Sequence, residues 1–427
     1  MLKFLLHGSM ATITELKLQQ VERDEMKAGH LSQYFTGVAA KRLSAVESDP
    51  SRSHQHEING ANPLMKIFGR AHGKMKFPAR FIYLNDHDDE PVVSDGFLTW
   101  YDARENHPTR TEHRLYFPTT TVSDCAAEGD LLVIGKRPDG SVLVVIAEDG
   151  STIANQVQWL FGVSDLTEHP GFSVREELET DQDRIAFASR FILENIGIVV
   201  EEPQEDNFLD KMIKKFGNGF PTTREFSAYA RSTLDINVHD GQDAVIMAWM
   251  EREEILFRTL ERHLIAERIS RGFDEVDGFI QYSLSVQNRR KSRVGYALEN
   301  HLQAIFDECE IRYSRTPLTE NKSRPDFIFP GKEEYYNPAF DALRLTMLGV
   351  KSSCKERWQQ VLAEADRIKD KHLLTLETAI STTQTDKMKA LSLQLVLPQS
   401  LQATYTSGQQ EWLMNVSEFI NLVRERQ

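Results

Sequence analysis

Two hydrophobic rhythms divide this chain. In its first part apolar residues come in short, aromatic-rich runs: Phe81-Ile82-Tyr83-Leu84, Gly96-Phe97-Leu98-Thr99-Trp100-Tyr101 and Arg114-Leu115-Tyr116-Phe117, separated by Asp, Asn, His and Pro. Aromatic and β-branched runs between turn formers read as strands. Leu131-Leu132-Val133-Ile134 and Val142-Leu143-Val144-Val145-Ile146 flank Arg137-Pro138-Asp139-Gly140, which predicts a hairpin. Many short strands at this spacing predict a small barrel or sandwich ending near Val163.

The rhythm then changes. Charged sequence from Ser164 carries a predicted helix, Asp183 to Asn195, and a second acidic stretch, Glu201 to Asp206, so a linker is expected across residues 164–206. Helical spacing of apolar residues dominates from Thr223 through Ile280, with Ala244 to Ile269 the longest segment. A helix (Gly295 to Cys309), strands (Phe327 to Phe329, Leu345 to Lys351), a helix (Lys355 to Lys369) and two more strands (Leu373 to Leu376, Leu393 to Leu397) are predicted next. This alternation reads as an α/β core with a mixed sheet. The expected organisation is an α+β multidomain chain: a β-rich domain over 1–163, the linker, and an α/β domain over 207–427.

Composition adds bounds rather than chemistry. A length of 427 residues suits two domains, and 40% hydrophobic with 27% charged residues is ordinary for a soluble globular protein. Cys125, Cys309 and Cys354 are dispersed, which suggests a reducing, cytoplasmic setting. The opening Met1-Leu2-Lys3-Phe4-Leu5-Leu6 is too short an apolar run for a signal peptide, Met10 is as eligible a start as Met1, and no apolar run reaches membrane-spanning length. The net charge of −14 argues against nucleic acid as a partner, but it hides a division. Gln281 to Lys371 holds 16 Lys and Arg against 13 Asp and Glu, a balance of +3, while acid concentrates between Asp165 and Glu254. That division is compatible with DNA contact on particular surfaces.

The chemistry centres on Asp326 and Lys351. Asp326 follows Pro325 and opens one apolar strand; Lys351 closes another. An acid and a lysine at adjacent strand ends can hold a divalent ion and a water against a phosphate. A second acid is expected two residues before the lysine, but Gly349 stands there. One aspartate holds a hard cation poorly. Glu364 borders the apolar stripe Trp358, Val361, Leu362, Ala365 and Ile368 of the expected helix, and Glu299 borders the stripe Leu298, Leu302, Ile305 and Phe306. Either glutamate can complete a metal shell or merely cap the edge of a core.

Asn288-Arg289-Arg290-Lys291-Ser292-Arg293-Val294-Gly295, then Leu298-Glu299, Pro325-Asp326-Phe327-Ile328-Phe329-Pro330 and Val350-Lys351-Ser352-Ser353-Cys354-Lys355-Glu356-Arg357-Trp358 together resemble the catalytic domain of EcoRII-type restriction endonucleases, in order and spacing from about Phe220 to Pro398. The resemblance implies a restriction-endonuclease-like fold of the PD-(D/E)xK class. It implies a homodimeric, Mg²⁺-dependent nuclease acting on double-stranded DNA, with no nucleotide cofactor and no membrane association. It also implies a G·C-rich target of the CCWGG kind. Carried over by motif, Asp326 and Glu364 are metal ligands, Lys351 completes the catalytic set and Glu299 is an auxiliary acid. Lys351 then either orients or deprotonates the attacking water. Lys355 and Glu356 fall at the base-reading position of the related enzymes, since Lys can donate to guanine and Glu can accept from cytosine; they are either that reading pair or an exposed first-turn salt bridge, and Lys355 can alternatively assist catalysis. The cluster Arg289, Arg290, Lys291 and Arg293 is either a phosphate clamp or a solvated face. Tyr335 is a candidate DNA contact near the site or a packing residue.

In the first part, His54-Gln55-His56-Glu57-Ile58-Asn59-Gly60-Ala61-Asn62, Trp100-Tyr101-Asp102-Ala103-Arg104 and Arg114-Leu115-Tyr116-Phe117 resemble the effector domain of such enzymes, which is similar to the DNA-binding pseudobarrel of plant transcription factors. The resemblance implies a second target copy bound here, with Arg70, Lys74, Lys76, Arg104 and Arg110 each either a DNA contact or an ordinary exposed surface charge. His54 and His56 have no third ligand at suitable spacing and read as a loop feature. Two other readings stay open: a DNA-binding regulator with an inactive nuclease fold, and a repair or modification-dependent nuclease.

Overall fold

The computed structural model describes residues 30–48, 57–58, 61–88, 90–107, 109–163, 166, 171–178, 187–200, 206–354 and 357–427. They fall into two compact units, Met1–Val199 and Val200–Gln427.

The first unit is built on eight strands: β1 (Gly37–Arg42), β2 (Glu57–Ile58), β3 (Met75–Leu84), β4 (Val92–Asp102), β5 (His113–Tyr116), β6 (Leu131–Lys136), β7 (Val142–Ala147) and β8 (Ser173–Arg175). They form one sheet in the order β2-β5-β4-β3-β7-β6-β1-β8. The β3–β7 pair is parallel; the other neighbours run antiparallel. The expected hairpin joins β6 and β7. Gly140 there adopts a φ of 83°, and Arg137 N donates to Ser141 O at 2.8 Å, a closure that suits glycine. Alternation along the strands drives Ala79, Phe81, Leu98, Trp100, Leu115, Ile134, Val144 and Ile146 into one core. Trp100 anchors it: its indole N–H donates to Gly69 O at 3.0 Å and its ring stacks on His113. A helix, α1 (Thr152–Phe161), is capped by Ser151, and α2 (Phe187–Asn195) packs against it. Both β8 and α2 lie inside the stretch that the sequence suggested as linker, and both belong to this first unit.

The second unit opens with helices α3 (Asp206–Phe216), α4 (Thr223–Ser232), α5 (Gln242–Ser270) and α6 (Val276–Glu308). A five-stranded mixed sheet follows, made of β9 (Ser314–Arg315), β10 (Phe327–Phe329), β11 (Thr346–Lys351), β12 (Lys371–Thr375) and β13 (Leu393–Val396), in the order β13-β12-β11-β10-β9. β10 is antiparallel to β9 and β11, whereas β11, β12 and β13 run parallel. One sheet face carries Ile328, Met347, Leu373 and Leu395 against Trp358 and Val361 of α7 (Trp358–Leu362) and Met388 of α8 (Thr382–Ala390). The other face is aromatic: Phe306 of α6 and Phe419 of α9 (Val416–Arg426) meet Phe327, Phe329 and His372.

Two helices differ from expectation. The one expected over Lys355 to Lys369 is the five-residue α7, and Ala365 beyond it takes a left-handed φ of 51°. Side chains Trp358, Val361, Ala365 and Ile368 are still buried, so the apolar stripe was real although the helix stops short. The one expected to begin at Gly295 begins at Val276 and runs 33 residues. A glycine in a helix interior costs only about 1 kcal/mol, which packing overrides. Here α6 packs along α5 through buried ion pairs, with Arg293 reaching Glu253 and Glu254, and His301 lying 3.0 Å from Glu253. Among the described residues no helix is long and apolar enough to cross a membrane.

Candidate active site

The sheet register builds the site. Phe327 pairs with Leu348, so continuing the antiparallel ladder puts Asp326 opposite Gly349, and period two puts Asp326, Gly349 and Lys351 on the face covered by α7. The buried Asp326 carboxylate accepts from Val350 N at 2.6 Å and from Lys351 Nζ at 2.9 Å, both on Oδ2. Acid and lysine therefore meet at adjacent strand ends, and Oδ1 accepts from neither donor.

Gly349 is a packing requirement. A Cβ there would lie 2.8 Å and 3.0 Å from the two methyl groups of Val361. Helix α7 occupies the space that a carboxylate two residues before the lysine would need. We expect Gly349→Asp to destabilise the protein by about 1–3 kcal/mol, the usual range for overpacking, without raising any site activity. Thermal unfolding of this variant and of Gly349→Asp/Val361→Ala tests the contact; the second change should recover part of the loss, and an unchanged melting temperature for Gly349→Asp alone would refute it.

Glu364 lies in the turn after α7, not inside a helix, and half-buried. Its Oε2 is enclosed and has no hydrogen-bond partner among the described residues. Burial pushes its carboxyl above the usual range; Lys351 draws it back down, Asp326 adds to the rise, and Lys371 lowers it further. Glu299 reaches the same neighbourhood from α6, on the opposite side of the sheet. Burial again raises its carboxyl, a hydrogen bond from Arg315 opposes that, and Asp326 reinforces it. Asp326, Lys351, Glu364 and Glu299 thus share one electrostatic environment.

Among the described residues no group of three or more His, Cys, Asp or Glu stands in metal-holding geometry. The acids fit a sparser arrangement, in which one or two carboxylates bind Mg²⁺ and substrate phosphate oxygens supply further ligands. An enclosed carboxylate oxygen without a donor, beside a partly uncommitted aspartate, is the donor set such an ion accepts.

The remaining candidates scatter. Lys355 and Glu356 lie outside the described residues, as do His54 and His56. The loop leading to Lys355 is held at Cys354, whose backbone N donates to the Glu377 carboxylate. Arg289, Arg290, Lys291 and Arg293 sit inside α6 rather than before it. Arg293 is buried on Glu253 and Glu254, Arg290 pairs with Glu261 at 2.7 Å, and Arg289 lies over the Phe220 ring. Lys291 is exposed. A four-residue phosphate clamp therefore does not form, because Arg293 is committed to buried acids on α5. Tyr335 is held as a packing residue: it is buried, donates to Glu320 at 2.5 Å, and its loop is clamped by Arg367, which donates to the carbonyls of Glu334, Tyr335, Asn337 and Phe340.

In the first unit Arg70, Lys74, Lys76, Arg104 and Arg110 are all exposed. The loops before β3 and between β4 and β5 meet where Gly73 N donates to Glu105 at 3.0 Å. Arg104 pairs with Glu112 at 2.5 Å, and Lys74 lies over the Tyr101 ring.

Sequence reasoning missed Arg315, which binds Glu299 at 2.9 Å. Its strand is only two residues long, too short to leave a periodic signal.

Residues 257–420, which include β9 to β13 and all four site residues, match the family described as the EcoRII C terminal. The chain is 38% identical over 202 residues to the Type II restriction enzyme EcoRII of Escherichia coli, an alignment covering 47% of this chain and 50% of that enzyme. The chain thus spans about half the length of the curated relative it matches. Among solved structures it is similar to metal-depleted Ecl18kI in complex with uncleaved DNA (17% identity, TM-score 0.42, 52% of this chain and 82% of that one). It is also similar to a restriction endonuclease PspGI–substrate DNA complex (15% identity, TM-score 0.38, 55% and 94%).

Proposed function

We propose that this protein is a Type II site-specific endonuclease that hydrolyses phosphodiester bonds of double-stranded DNA with Mg²⁺. The observation that carries this reading is the pairing of Asp326 with Lys351 at adjacent strand ends, beside an enclosed Glu364 oxygen that has no hydrogen-bond partner among the described residues. Asp326 and Glu364 would hold the ion. When bound, it polarises the scissile phosphate and makes a water more acidic. Lys351 sits where it can orient that water and offset charge developing on the phosphate. Glu299 adds negative charge at the margin and Arg315 limits it.

The target in this reading is short and G·C-rich with a central A·T pair, of the CCWGG kind, read in part by Lys355 and Glu356, and the working form is a homodimer. The exposed cations Arg70, Lys74, Lys76 and Arg110 support a role for the first unit in binding a second target copy as effector.

The test is to sequence the ends left on unmethylated plasmid by the purified chain with Mg²⁺. Cuts at one short motif are expected, accelerated when an oligonucleotide carrying that motif is added in trans. Binding without cleavage under every divalent metal would refute the enzyme reading; cleavage indifferent to added target would refute the effector role alone.

A further inference from the structure

Arg315 is tied down more firmly than a DNA-contacting arginine needs to be. Its Nη1 donates to Asn300 Oδ1 at 2.9 Å and Gln303 Oε1 at 2.6 Å, and its Nη2 donates to Glu299 Oε2 at 2.9 Å. The side chain is 18% exposed and that of Glu299 14%. Asn300 is itself oriented, since its Nδ2 donates to Ser227 Oγ on α4 at 3.2 Å. Arg315 pairs with Phe327 in the β9–β10 ladder, and Thr316 N donates to Asp326 O at 2.9 Å. Arg315 and the Thr316 that follows it therefore fix the side chain of one site acid and the backbone of another.

We propose, on the endonuclease reading above, that Arg315 is a positioning residue that holds the Glu299 carboxylate in place at the sheet end beside Asp326 and Lys351. A guanidinium presents a planar fork of donors, and here three acceptors from one helix face fill much of it. An arginine that grips phosphate keeps its fork open to solvent; this one is turned inward. Without it Glu299 would be a half-buried acid within the field of Asp326 and without its Arg315 partner, free to turn away from the site.

The proposal is tested on the full chain with Arg315→Ala, Arg315→Lys, Glu299→Ala and the Arg315→Ala/Glu299→Ala double variant. Each is measured for kcat, KM, metal-free DNA binding and thermal unfolding. Arg315→Ala should lower kcat about 10–100-fold, as loss of an outer-shell partner does at metal sites, with KM and metal-free binding little changed. Arg315→Lys should recover part of that loss. In the Glu299→Ala background, removing Arg315 should cost no more than about twofold further, because coupled residues do not add. Raised KM with unchanged kcat would make Arg315 a phosphate contact, and an additive loss in the double variant would make its role merely structural; either overturns the proposal. If Arg315→Ala fails to fold, the cycle is run with Arg315→Lys, and a loss that persists undiminished without Glu299 is again fatal. Wild-type protein that binds DNA but cuts none overturns the endonuclease reading itself, whereas active wild type with fully active Arg315→Ala overturns this inference alone.

Discussion

Replacing Lys351 by alanine is expected to lower the single-turnover cleavage rate by on the order of 10³-fold, about 4 kcal/mol of barrier, while metal-free DNA binding stays nearly unchanged. The size follows from where the ammonium sits. Its Nζ is 2.9 Å from Asp326 Oδ2, and its charge also draws down both Glu364 and Glu299. Three acids converge on this strand end, and a phosphate arriving there brings more negative charge. Removing the lysine leaves that charge unbalanced at the moment of bond breaking, when charge on the phosphate oxygens is changing. Ground-state binding depends instead on many contacts spread along the duplex. Rate measurements on a specific duplex, paired with fluorescence anisotropy without metal, separate the two effects. Cleavage within about tenfold of wild type would remove Lys351 from the chemistry, since a positioned electrostatic partner is worth more than that.

What was legible in the sequence shares one property: it was local. The runs Leu131–Ile134, Val142–Ile146 and Phe327–Phe329 are apolar without interruption, and each forms a strand. The acid–lysine pair was legible because both residues sit at ends of such runs, where register fixes their approach. What was hidden depended on partners far along the chain. Arg290 and Arg293 read as a surface cluster because nothing nearby satisfies them; their acids are Glu261 and Glu254, 29 and 39 residues away on α5. The extent of α6 was hidden for the same reason, since polar residues in its middle face those acids. The sequence places Glu364 at the border of a helical apolar stripe. Most of the stripe is buried, yet the helix ends at Leu362, so Glu364 lies beyond it and just before the left-handed Ala365. Gly349 looked like a defect from sequence and is accounted for only by Val361, twelve residues later on the covering helix.

The second large effect concerns stability and acid. Lowering the pH from about 6.5 to about 4 should cost the second unit about 3 kcal/mol through His372 alone. This histidine is on β12, packed against Phe419, 3% exposed. Burial pushes its pKa down to about 4, and the nearby Arg426 charge adds to the depression. In the unfolded chain the imidazole returns to about 6.5. Between these values the unfolded state binds a proton that the folded state refuses, so stability falls as pH falls through the window and levels off below it. Above pH 6.5 both states are neutral at this residue and it contributes no pH dependence. His301, buried on α6 and likewise lowered chiefly by burial, pushes in the same direction, so wild type should be acid-labile overall. His372→Leu isolates one contribution, because it keeps an apolar side chain against Phe419 and removes the titrating group. Urea unfolding followed by tryptophan fluorescence at pH 7.5, 6 and 4.5 should show the wild-type and His372→Leu curves separating toward low pH, with the variant the less acid-sensitive. Parallel curves across that range would mean that His372 takes up its proton without leaving the folded core, and the buried, neutral state assigned to it would be wrong.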